Sequence, residues 1–193
     1  MASPFKASPG PEVEVQASLP AKDAPMAELM DPHVDMLLVG DSLGMVVHGL
    51  PSTVGVTMEM MIPHAQAVRR GSPNAWLIGD MPYMTYQPSI EDTIRNAGRF
   101  LAEAACDCVK LEGGRVVADR IEACVKMGIP VMGHLGLTPQ SAGALGGFRL
   151  QGKSALQAKK IIDDAKALEK AGRYLGGDGE QEEEKHFLRS TVG

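Results

Sequence analysis

Four apolar runs of the sequence each stop on polar residues: LVGDSLGM at Asp41 and Ser42, WLIGDMP at Asp80, VKLEGG at Lys110 and Glu112, and PVMGHLGL at His134. Side chains alternate along a strand. Parity therefore groups Leu37 and Val39 with Asp41, Trp76 and Ile78 with Asp80, Cys108 with Lys110 and Glu112, and Met132 with His134. If the runs are parallel strands, their C-terminal ends share one rim. In a barrel the inward face would aim Asp41, Asp80, Lys110, Glu112 and His134 into one cavity. Carboxylates that converge at close range need a cation or raised pKa values to offset their repulsion. Oxygen-only ligands suit Mg2+, with Mn2+ second, and no thiolate is placed to favour zinc.

Each of these residues has a plainer role to set beside the chemical one. A lone Asp at a strand end, or Ser42, often just forms a turn or caps a helix. Lys110 reads as an ion pair within the sheet, as the cation that meets an anionic substrate, or as a Schiff-base amine. His134 reads as a packed core histidine or as a donor to a substrate oxygen. In the long connection MVVHGLPSTVGVTMEMM, which could cover the mouth of the cavity, His48 reads as a surface residue and Thr57 as a helix cap.

The elements that would position these groups alternate along the chain. APMAELM suits a short helix, and DMLLVGD is too short and apolar for anything but a buried strand. TMEMMIPHAQAVRRG is helical in pattern, although Pro63 should kink or restart it. After NAWLIGD, Ser89 and Asp92 stand in capping-box spacing ahead of a stripe of Ile90, Ile94, Ala97, Leu101 and Ala104. CDCVKLEG precedes a helix aligning Val117, Ile121 and Val125, and IPVMGHLGL precedes one aligning Ala158, Ile161, Ala165 and Leu168. Strands alternating with helices at this spacing predict βαβ crossovers in a mostly parallel sheet, as a (β/α) barrel or an open α/β sheet. Residues 1–23 read as a flexible arm rich in Pro, Ser and Ala. Residues 24–175 read as the folded domain and 176–193 as a polar, disordered tail.

The 193 residues suffice for one domain with a sizeable core. Lys and Arg total 19 against 24 Asp and Glu, a net charge of −5 with the basic residues scattered, which argues against nucleic acid and anionic membrane surfaces as partners. Cys106, Cys108 and Cys124 lack zinc or thioredoxin spacing and read as buried or partly exposed thiols in a reducing compartment. No signal-peptide core and no run near the roughly 18 apolar residues of a membrane span is present, so a cytoplasmic location is expected.

The motifs LVGDSLGM, TMEMMIPHAQAVRRG, DMPYM, NAGRFLAEA, VKLEGG, IPVMGHLGLTPQS and LGGFRLQG, in this order from about Ala27 to Gly172, closely resemble the ketopantoate hydroxymethyltransferase family. The resemblance implies a (β/α)8 barrel of TIM type in a homo-oligomer. It also implies transfer of a hydroxymethyl group from 5,10-methylenetetrahydrofolate to 3-methyl-2-oxobutanoate, giving 2-dehydropantoate on the route to pantothenate and coenzyme A. It makes Asp41 and Asp80 ligands of Mg2+, with Glu112 completing the site directly or through water. Asp41, Ser42, Asp80 and Lys110 match substrate contacts, and His134 is a further candidate. The implied chemistry is a Mg2+-stabilised enolate that attacks the folate-borne carbon.

The chain departs from the family pattern at both ends. No convincing strand precedes the first helix, and RYLGGDGEQEEEKHFLRSTVG gives no strand carrying the family's general-base glutamate, so the catalytic base stays unassigned. The sequence thus reads as a truncated member, a partial barrel of about four or five βα units. Two further functions stand beside the transferase: an inactive partial barrel serving as an interaction or oligomerisation subunit, and a Schiff-base aldolase using Lys110.

Overall fold

A computed structural model describes residues 17–136, 138–141, 154–172 and 187–189. Six strands, β1 (Ser18–Pro20), β2 (Met36–Val39), β3 (Trp76–Asp80), β4 (Cys108–Glu112), β5 (Val131–His134) and β6 (Phe187–Arg189), pair in parallel in sequence order. A doubly wound sheet reverses its strand order at a switch point, whereas a (β/α) barrel adds each strand beside the last. The observed order is the second kind, so the sheet is an arc of a barrel-like fold.

The helices are α1 (Ala24–Met30), α2 (Leu43–Val46), α3 (Met58–Gly71), α4 (Ile90–Ala104), α5 (Ala118–Lys126) and α6 (Ala155–Ala171). Local chemistry sets several of their starts. Asp23 accepts the Met26 N–H at 2.8 Å, Thr57 accepts that of Met60 at 3.3 Å, and Ser89 accepts that of Asp92 at 3.0 Å. Ser154 and Gln157 form a full capping box at the start of α6. At Ser89 the box is altered: the serine hydroxyl donates to Asp92 Oδ2 at 2.7 Å, the shorter acid bonding the side chain. Helix α3 runs unbroken through Pro63, whose ring lies on the exposed side.

One core fills the space between sheet and helices, with Leu37, Val39, Leu77, Val109, Leu111 and Val131 facing Met61, Ala65, Ala97, Phe100, Ile121 and Leu168. Gly79 permits this packing at β3, because a Cβ there would meet the Phe100 ring at 2.4 Å. A smaller cluster of Met36, Trp76, Ile78, Cys108 and Met132, with Leu38 against it, occupies the opposite face of the sheet.

Beyond the unbroken course of α3 at Pro63, three further expectations about the elements need correction. Ser18–Pro20 lies in the expected arm, yet it pairs with β2, and Ala17 N–H donates to Asp35 Oδ2 at 2.9 Å. Three exposed residues ending in proline carry no buried alternation, so nothing in their pattern marks a strand. Phe187–Arg189, within the expected disordered tail, pairs with β5 through its backbone. The rest of that tail, and the LGGFRLQG motif, lie outside the described residues. On α4 the buried stripe is Thr93, Ala97, Phe100 and Ala104, while Ile90 is exposed. Phe100 offers more area to the core than Ile90 and rotates the helix toward itself.

Candidate active site

Strand register brings the polar ends together. Asp80 on β3 pairs with Lys110 on β4, and Glu112 on β4 pairs with His134 on β5. Opposed residues of a parallel pair project to the same side, so each pair puts an acid beside a base. Lys110 Nζ donates to Asp80 Oδ2 at 2.9 Å. His134 Nδ1 lies 3.3 Å from Glu112 Oε2, within ion-pair range but outside hydrogen-bond geometry, and has no hydrogen-bond partner among the described residues.

Asp41 arrives by a different route from the one parity predicts. The register pairs Met36 with Trp76 and Leu38 with Ile78, so Met36 and Leu38 share the site face while Leu37 and Val39 pack toward the helices. By alternation Asp41 would follow Leu37 and Val39 to the helix side. Instead β2 ends at Val39, a turn closes with Leu43 N–H donating to Gly40 O at 3.0 Å, and Asp41 N–H donates to Asp80 Oδ2 at 3.2 Å. The turn, not the pleat, delivers the carboxylate.

Asp41, Asp80, Lys110 and Glu112 are all buried. Burial disfavours the charge on Lys110, but Asp80, then Asp41 and Glu112, outweigh it and raise the pKa of the ammonium. Burial, with the Asp80 charge behind it, pushes the Asp41 carboxyl up to about 7 from 3.8. Folded Asp41 therefore holds its proton to higher pH than the unfolded chain does. Its protonation favours the fold below 3.8, and that contribution is lost as pH rises toward about 7. The metal-free protein is expected to lose stability across this window by no more than about 1.4 kcal/mol per pH unit from one proton. Denaturant melts of wild type and Asp41→Asn would check it. The slope should disappear in the variant, and a wild-type stability that rises relative to the variant would refute it.

Two residues that the sequence pattern does not single out complete the cluster. Gln140 lies in a 3-10 turn after β5, and its backbone N–H donates to Glu112 Oε1 at 2.7 Å. Its side-chain Nε2 donates to Asp41 Oδ2 at 3.0 Å and to Met81 O at 2.9 Å. Tyr86, 1% exposed, places its hydroxyl 2.8 Å from Gln140 Oε1 and 3.0 Å from Glu112 O. Both residues stand in loops after strands, where no periodicity marks them. The signal that could have found them is the position of LTPQ and YMTYQP directly after site-bearing strands.

The remaining candidates fall apart from this cluster or stand at its edge. Ser42 is exposed at the start of α2 and does not cap it. Thr57 caps α3, as its plainer role predicts. His48 Nε2 sits 3.1 Å from His64 Nε2, and His64 Nδ1 donates to Lys22 O at 2.6 Å, which ties the long loop to α3. The three cysteines are free and buried. Burial pushes the Cys106 and Cys124 thiols up to about 12 and raises that of Cys108 as well, which leaves them unreactive. Among the described residues no three His, Cys, Asp or Glu side chains gather as a ready-made metal cage. Glu112 is turned toward Gln140 and His134 rather than toward the Asp41–Asp80 pair.

The family model described as ketopantoate hydroxymethyltransferase matches residues 12–175. The chain belongs to that family. It is 52% identical over 164 residues to the 3-methyl-2-oxobutanoate hydroxymethyltransferase of Rhodospirillum rubrum, covering 85% of this chain and 59% of that protein. The enzyme of the same name from Clostridium botulinum is 57% identical over 157 residues, covering 81% of this chain and 57% of that protein. The chain thus spans less than two thirds of the length of these ketopantoate hydroxymethyltransferase relatives. In fold, it is similar to a phosphonopyruvate hydrolase (TM-score 0.61, 13% identity, covering 80% of this chain and 54% of that one). It is also similar to 2,3-dimethylmalate lyase of the PEP mutase/isocitrate lyase superfamily (TM-score 0.57, 17% identity, covering 80% and 53%). The stretch matched by the ketopantoate hydroxymethyltransferase family includes every member of the buried cluster. Among the described residues no helix is long and apolar enough to cross a membrane.

Proposed function

We propose that this chain carries the cation- and oxoacid-binding part of a site that transfers a hydroxymethyl group from 5,10-methylenetetrahydrofolate to 3-methyl-2-oxobutanoate, giving 2-dehydropantoate in pantothenate biosynthesis. The observation that carries this reading is the grouping of Asp41, Asp80 and Lys110 at the C-terminal ends of adjacent parallel strands. Relatives 52% and 57% identical bear the name of that activity.

The residues fit a hard divalent cation. Asp80 Oδ1 is buried with no hydrogen-bond partner among the described residues, and Asp41, whose carboxyl is raised first by burial and then by the Asp80 charge, lies against Asp80 through its own N–H. Asp41 and Asp80 would hold Mg2+, or Mn2+ in its place, with Glu112 joining through water. The bound ion would supply Lewis-acid polarisation of the keto group, which acidifies the substrate C3–H. Lys110 keeps its proton and meets the substrate carboxylate or the negative charge that develops on the keto oxygen as C3 loses its hydrogen. Ser42, exposed beside Asp41, offers a hydroxyl to the substrate, and His134 can donate to an oxygen from the next strand end. The base that removes the C3 proton is assigned to none of the described residues. A protonated Lys110 paired with Asp80 is a poor amine nucleophile, which argues against the Schiff-base aldolase.

A second reading, an inactive partial barrel serving as an interaction or oligomerisation subunit, draws on the exposed edge strand β1. Calorimetry with 3-methyl-2-oxobutanoate, with and without Mg2+, tests the first reading: binding should require the ion. Product formation with methylenetetrahydrofolate should then be followed for the chain alone and after addition of the separately expressed C-terminal part of a relative. A folded chain that binds no oxoacid with Mg2+ present would overturn the proposal and favour the second reading.

A further inference from the structure

Gln140 reaches the cluster from the segment after β5 and touches residues from three other strand ends. A glutamine side chain offers two acceptor positions on Oε1 and two donors on Nε2, and here all four are engaged. Oε1 accepts from Gln87 Nε2 at 3.3 Å and from the Tyr86 hydroxyl at 2.8 Å, the shorter of the two acceptor contacts of that single proton, the other being Glu112 O at 3.0 Å. Nε2 donates to Asp41 Oδ2 at 3.0 Å and to Met81 O at 2.9 Å. The orientation of the amide is dictated by chemistry, because the Met81 carbonyl can only accept. Turned over, Oε1 would face that carbonyl and a carboxylate together. The backbone N–H of the same residue holds Glu112 Oε1 at 2.7 Å, and the residue is 6% exposed. A buried amide saturated in this way has one orientation, and the Asp41 carboxylate bonded to it inherits that order, while Glu112 is held by the backbone N–H.

We propose that Gln140 is a positioning residue that fixes the rotamers of Asp41 and Glu112 from outside the cation site, setting Asp41 against Asp80 for the ion. This rests on the cation reading above. Partners that orient ligating carboxylates without touching the metal commonly change metal affinity about 10- to 100-fold when lost. The role also ties the segment after β5 to the ends of β2 and β4, so the site depends on where that segment lies.

The test compares Mn2+ binding, read by the EPR signal of the free ion, in the full chain as wild type, Gln140→Met and Tyr86→Phe. Methionine keeps the length of the side chain and the backbone N–H but removes the amide. Gln140→Met is expected to weaken Mn2+ binding about 10- to 100-fold and to broaden the spectrum of the bound ion. Tyr86→Phe, which removes the hydroxyl contacts to the far end of the amide and to the Glu112 carbonyl but leaves both Nε2 bonds of Gln140, should give a smaller loss. Metal-free thermal melts separate positioning from general damage. The Mn2+ loss should exceed what a shared fall in melting temperature would give, with Gln140→Met losing far more affinity than Tyr86→Phe. Wild-type affinity in Gln140→Met would overturn the role of Gln140 alone. A wild-type chain that takes up no Mn2+ would overturn the cation reading and this inference with it. If Gln140→Met does not fold, Tyr86→Phe carries the decision, and unchanged Mn2+ affinity there would overturn the proposal.

Discussion

Replacing Asp80 by alanine is expected to abolish the stabilisation that Mg2+ or Mn2+ confers and to weaken the metal-free fold as well. The two effects have separate causes. Asp80 contributes the buried, unpartnered Oδ1 that a cation would occupy. A ligand that binds only the folded state at 100 times its Kd raises stability by about 2.7 kcal/mol, and that increment should vanish. In the metal-free chain, Asp80 Oδ2 accepts both Lys110 Nζ and the Asp41 N–H. Removing it strands a buried ammonium, a change that commonly costs about 3–5 kcal/mol. Asp80→Asn should spare part of the second loss, because an amide oxygen can still accept from the Asp41 N–H, while still losing the metal effect. Thermal melts with and without Mn2+ distinguish these outcomes. A full metal-induced shift in Asp80→Ala would remove Asp80 from the cation site.

Lys110→Met should weaken binding of 3-methyl-2-oxobutanoate far more than binding of Mn2+. Methionine preserves most of the packing volume between strands but removes the cation assigned to the substrate carboxylate. Losing one partner of a buried, hydrogen-bonded charge pair costs about 2–5 kcal/mol, or roughly 30- to 5,000-fold in affinity. Mn2+ binding should hold or tighten, because the change deletes a positive charge 2.9 Å from Asp80 Oδ2. Calorimetry on one preparation can measure both. An unchanged oxoacid affinity would exclude Lys110 from the substrate site, and parallel losses of both ligands would indicate a collapsed site rather than a missing contact.

Much of this arrangement is legible in the sequence. The alternation of short apolar runs with amphipathic stretches predicts parallel strands and intervening helices, and four of the six strands follow that pattern. Capping signals at Thr57 and Ser89 mark helix starts where the structure has them. Asp80, Lys110, Glu112 and His134 stand at strand ends in the chain and in space alike, because their strands are buried on both faces and their parity follows from where each strand stops. The motifs from LVGDSLGM to IPVMGHLGLTPQS lead to the ketopantoate hydroxymethyltransferase family.

Asp41 shows where such reasoning stops. Its approach to Asp80 depends on a turn at Gly40 that breaks the alternation of β2, and alternation alone would send the side chain to the helix side. The strands β1 and β6 carry no periodicity of their own and exist because neighbours in the sheet supply hydrogen-bond partners for their backbone. Gln140 and Tyr86 acquire meaning only when the ends of β2, β4 and β5 come within hydrogen-bond distance, since a loop glutamine has no pattern until its partners surround it. The sequence by itself determined which residues sit at strand ends and how strands and helices alternate, because periodicity and capping act over a few residues. Tertiary structure alone decided which carboxylate oxygens are shared, which are left without partners and which loop residue orients them, because those outcomes depend on distances between segments far apart in the chain.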